Sequence, residues 1–131
     1  MKIRLAIVAA LLAWLATPAF AHRLDEYLQA TLVSIEPGRV RLQMNLTPGV
    51  DIAEKVLARI DGDRDGVISA KEATAYAKSL QRDLIVKMDE RSLKLKLIAS
   101  SFSAPAELRS GWGMIQMEFS AAPGSLSTGE H

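Results

Sequence analysis

Twelve consecutive residues limit what this chain can fold into more than any other stretch. They run Asp61-Gly62-Asp63-Arg64-Asp65-Gly66-Val67-Ile68-Ser69-Ala70-Lys71-Glu72, with carboxylates at the first, third, fifth and twelfth places and a glycine at the sixth. Aspartates on alternate residues repel one another unless the chain curls to share a cation between them. Ca²⁺ is a hard cation that takes about six to eight oxygens at short range, and a tightly turned loop can deliver them. Asp61, Asp63 and Asp65 each offer a side-chain oxygen, and Glu72 can close the shell from the far end. Gly66 permits the turn, because a residue without Cβ enters the left-handed region at little cost.

The flanks are helical in pattern. Ala53, Val56, Leu57 and Ile60 recur at helical spacing and stop one residue short of Asp61; Ala73, Tyr76, Ala77 and Leu80 do the same beyond the loop. Ser69 and Glu72 have the spacing of a capping box, which starts the second helix. Helix, twelve-residue loop and helix over residues 51–82 resemble the EF-hand calcium-binding family, with no departure at a ligand position. The resemblance implies Ca²⁺ held by the side chains of Asp61, Asp63 and Asp65, the backbone carbonyl of Val67, Ser69 through a water, and both oxygens of Glu72. It also implies a pairing surface, because EF-hands pair across the short strand at the eighth place, here Ile68. No second loop of this kind occurs: Asp25-Glu26 and Asp89-Glu90 lack the glycine and the later acids. Ile68 is therefore expected to pack on its own domain or to join a homodimer through the EF-hand.

The chain has 131 residues, enough for one domain. Lys2 and Arg4, the apolar run Leu5 to Ala16 and the small-x-small site Ala19-Phe20-Ala21 predict a cleavable signal peptide over 1–21. A single domain over 22–120 and a flexible tail over 121–131 follow from the patterning. The expected address is periplasmic or secreted, with no membrane span after signal removal. The sequence has no cysteine, so no disulfide can brace the fold. Loss of Lys2 and Arg4 takes the formal charge from +1 to −1, which leaves no basic excess to attract nucleic acid or an acidic membrane. Lys87, Lys94 and Lys96 read as a solvated sheet face.

Outside the helices the periodicity is that of strands. Residues 27–36 are apolar on both parities, with Tyr27, Val33 and Ile35 on one and Leu28, Ala30 and Leu32 on the other, which predicts a central strand covered on both faces. After Pro37-Gly38, Val40, Leu42, Met44 and Leu46 alternate with polar residues to complete a hairpin. A second hairpin is expected from 83–88 and 92–98 about the turn Asp89-Glu90-Arg91. Residues 99–112 read as loop, and 113–120 as a fifth strand with Ile115, Met117 and Phe119 inward. The expected class is α+β: an antiparallel sheet of about five strands with the helix-loop-helix inserted. Trp112, between two glycines, is expected to plug the sheet edge. Met44, Met88, Met114 and Met117 are expected as core filler.

These readings imply a non-enzymatic calcium-binding module with a structural or interaction role. There is no cysteine, no interior histidine and no Gly-x-Ser-x-Gly motif, so a hydrolase lacks its usual parts. The alternative is a periplasmic metal-accessory or sensory domain. A chain beginning at His22 offers its free amine and imidazole to copper or nickel. The order of signal, His22-Arg23-Leu24, hairpin, acidic loop, Tyr-bearing helix and further hairpin resembles the periplasmic domain that precedes the membrane helices of nickel/cobalt and hydrogenase/urease-accessory permeases. That resemblance implies at most a shared extracytoplasmic module.

Overall fold

A computed structural model describes residues 24–123. In chain order the elements are β1 (Tyr27–Glu36), β2 (Arg39–Pro48), α1 (Val50–Ile60), α2 (Ala70–Asp83), β3 (Lys87–Met88), β4 (Arg91–Ser92), β5 (Lys96–Phe102), α3 (Pro105–Arg109) and β6 (Ile115–Ala121). The class is α+β. One antiparallel sheet has the order β1-β2-β6-β5, and β3 and β4 form a separate two-stranded ribbon.

The hairpin β1–β2 is registered from Tyr27 opposite Pro48 to Glu36 opposite Arg39, with Gly38 taking the positive φ of the turn. The alternation in β2 sets the layer structure. Val40, Leu42, Met44 and Leu46 are buried, and so are their β6 partners Ile115, Met117, Phe119 and Ala121. Onto this face α1 lays Ala53, Val56, Leu57 and Ile60, and α2 lays Tyr76 and Ala77. Leu95 and Leu108 complete the core. Full burial of such aliphatic and aromatic side chains stabilises by about 1.5–3 kcal/mol each before entropy is charged. Among the described residues no helix is long and apolar enough to cross a membrane.

Several expectations need correction. β1 is an edge strand, not a central one; helices cover the β2–β6 centre and leave nearly all of β1 exposed. The second hairpin shrinks to a ribbon of two residue pairs, Lys87 with Ser92 and Met88 with Arg91. Its turn uses positive φ at both Asp89 and Glu90, the geometry of a tight primed turn. The chain then leaves the ribbon, and from Lys96 it pairs with β6 instead. Residues 99–112 are not all loop: β5 continues to Phe102, and α3 follows. Trp112 does not plug the edge, being 81% exposed. Met44 and Met117 are core residues and Met88 packs against them, but Met114 is exposed. The expected tail begins too early, since Ala121 ends β6 and is buried.

Candidate metal centre

The acidic loop lies between α1 and α2, and each helix end is built to hold it. Asp61 is the C-cap of α1, its backbone N–H donating to the Leu57 carbonyl at 2.8 Å. Ser69 is the N-cap of α2. Its hydroxyl accepts from the Glu72 N–H at 3.2 Å, and its own N–H donates to Glu72 Oε2 at 2.9 Å. That is the reciprocal capping box.

Between the caps the loop backbone wraps around carboxylates. Asp61 Oδ2 accepts from the Gly66 N–H at 2.9 Å and Asp61 Oδ1 from the Asp65 N–H at 3.2 Å. Asp63 Oδ1 also accepts from Asp65, at 3.2 Å, and Asp65 Oδ1 from the Val67 N–H at 2.8 Å. The tight curl needs positive φ at Gly66, which is at +82°, and at Arg64, at +61°. The curl brings one carboxylate oxygen each from Asp61, Asp63 and Asp65 within 4.8 Å of one another. Oxygens around Ca²⁺ stand at about 2.3–2.6 Å, so two ligands of one ion are at most about 5 Å apart. The three aspartates therefore satisfy the spacing that a single ion requires.

Glu72 approaches from the first turn of α2 and crosses the loop. Its Oε1 accepts from the Gly62 N–H at 2.8 Å and from the Asp63 N–H at 3.4 Å, and Ser69 Oγ donates to its Oε2 at 2.7 Å. It lies outside the three-aspartate group, and its oxygens are engaged by loop donors. The Ser69 hydroxyl, then the Ser69 N–H and the amides of Gly62 and Asp63, hold its carboxyl down at about 2. Asp63 behaves in the opposite way. The Asp65 amide pulls its carboxyl down, but desolvation, the charges of Asp65 and Glu72 and a hydrogen bond with Asp61 outweigh that and raise it. Crowded anions of this kind gain most from a cation. The Val67 side chain is exposed and meets no structural demand. Ile68 is partly buried and packs against the core of its own domain.

A second feature ties the hand to the sheet, and the sequence reading did not foresee it. The hydroxyls of Tyr27 on β1 and Tyr76 on α2 are 3.0 Å apart, and the Tyr76 ring meets Phe102 of β5 edge-on at 5.9 Å. Gln81 Nε2 donates to the Leu95 carbonyl at 2.8 Å. Both tyrosines lie on apolar patterns, but only the tertiary fold makes them meet. His22, His131 and the signal segment lie outside the described residues.

Comparison of the chain with family models, with curated proteins and with solved structures gave no match.

Proposed function

We propose that this chain binds one Ca²⁺ through the Asp61–Glu72 loop and works as an exported, non-enzymatic module whose helix pair the ion fixes against the sheet. One observation carries the reading: oxygens of Asp61, Asp63 and Asp65 converge within 4.8 Å in a loop closed at both ends by helix caps. The Val67 carbonyl and Ser69, through a water, add to that set. Glu72 supplies two further oxygens after exchanging its bonds to Gly62 and Ser69 for the metal. A shell of about seven oxygens with a bidentate carboxylate suits Ca²⁺ and fits the smaller octahedral Mg²⁺ poorly.

Isothermal calorimetry tests this directly. One Ca²⁺ per chain is expected, with Mg²⁺ much weaker. Asp61→Ala and Glu72→Gln should each remove most of the affinity, and Val67→Ala should leave it unchanged because only its carbonyl is used. No heat with Ca²⁺, or equal binding of the two ions, would sink the reading.

A further inference from the structure

The two edges of the main sheet are built differently. β5 is seven residues long, begins at Lys96 and has an irregular register between Leu97 and Ala99. Short length, lysine and a bulge are devices that keep a sheet edge from pairing with another chain. β1 has none of them. It runs ten residues in unbroken register with β2, contains no proline or lysine, and is uncharged from Tyr27 to Ile35. Its large side chains are open on both faces of the sheet: Leu28 at 47%, Leu32 at 60%, Val33 at 52% and Ile35 at 70% exposure. Together with Tyr27 they expose on the order of 500 Å², divided between the two faces, with Tyr27, Val33 and Ile35 on one and Leu28 and Leu32 on the other.

We propose that β1 pairs antiparallel with β1 of a second copy of this chain, making one continuous eight-stranded sheet. A second copy fits for two reasons. Nine uncharged residues on each side bring no like charges together, and the two apolar faces of one strand match those of the other about a two-fold axis perpendicular to the sheet. Such an axis keeps faces in common, so residues of the same parity stand opposite one another. With Leu32 on the axis, Gln29 faces Ile35, Ala30 faces Ser34, Thr31 faces Val33 and Leu28 faces Glu36, so no two acids meet. Placing Thr31 on the axis would set Glu36 of each copy against Glu26 of the other, so the Leu32 register is preferred. The apolar area available falls below the roughly 800 Å² per partner of a standard interface, so the dimer is expected to be weak and reversible. This surface is separate from the calcium loop, so the pairing stands or falls independently of ion binding.

Sedimentation velocity of the purified chain over a range of concentrations, with circular dichroism to check folding, tests the pairing. A reversible dimer is expected. Ile35→Lys should raise its dissociation constant on the order of 100-fold, because it buries an unpaired charge against Gln29 of the other copy. Leu32→Lys, on the opposite face, should do the same. The double variant Gln29→Glu with Ile35→Lys should recover most of the affinity, since the new charges meet only across the two-fold axis. A chain that stays monomeric at millimolar concentration would overturn the proposal. So would a dimer indifferent to both lysine variants, which would place the contact at another surface. Failure of the double variant to recover would overturn the Leu32 register.

Discussion

The Tyr27–Tyr76 hydroxyl pair has consequences that can be measured directly, because the chain has only these two tyrosines. Burial, then the hydrogen bond to Tyr76, pushes the Tyr27 phenol well above the ordinary tyrosine range. Because the folded phenol ionises above the unfolded one, at about 10, its contribution to stability is intact below about pH 10 and is lost as pH rises further. Tyrosinate absorbance should therefore lag behind that of free tyrosine in alkaline titration and then rise together with unfolding. Tyr27→Phe should remove that delayed phase. An ordinary titration curve in the unmodified chain would count against the contact. At this scale the acidic loop was legible in the sequence, because each residue has a local job: Gly66 turns, the aspartates converge and Ser69 caps. The tyrosine pair was not legible, because it joins residues 49 positions apart whose meeting depends on how α2 lies on the sheet. Nor did the loop pattern reveal that Glu72 would spend its oxygens on Gly62, Asp63 and Ser69.

Among the elements, α2 depends most visibly on its first turn. Ser69→Ala deletes the acceptor for the Glu72 N–H and a donor to Glu72 Oε2. Loss of such a cap costs typically about 1 kcal/mol. In a domain of this size that lowers the melting temperature by a few degrees, which calorimetric melting of the calcium-free protein should show. The alternation in β2 and β6 and the helical spacing in α1 were readable because each buries one clean face. β1 misled for a physical reason. A strand apolar on both parities suits either the middle of a sheet or an open edge that awaits a neighbour, and periodicity alone cannot choose between them. The second hairpin misled because Leu93, Leu95 and Leu97 alternate correctly, but only Leu97 lies on β5 and pairs with β6, while Leu93 and Leu95 fall between the ribbon and that strand.

For the molecule as a whole, the core is separate from the proposed ion site. Its main residues lie on β2, β6 and the inner faces of α1 and α2, and none is a ligand. The calcium-free protein should therefore stay folded while the helix-loop-helix loosens. At a free-ion level of about ten times Kd, binding contributes only about 1.4 kcal/mol, a rise of a few degrees in melting temperature. Hydrogen exchange should show protection gained over residues 51–82 and strands β2 and β6 little changed. A calcium-free protein that is wholly unfolded would mean that the sheet is built on the loop. The sheet order also sets a timetable. β6 lies between β2 and β5 yet is the last of the described strands to be synthesised, and Leu46 must find Ile115 about seventy residues later. The β1–β2 hairpin can form early from local contacts, but until residues up to Ala121 have been delivered β2 and β5 have no common neighbour, and Leu42 and Leu97 lack Phe119 between them. Closing so long a loop is slow. A polypeptide with this layout keeps its sheet open until Ala121 has left the ribosome, so any ribosome-bound chain that stops short of β6 exposes the apolar faces of β2 and β5 together.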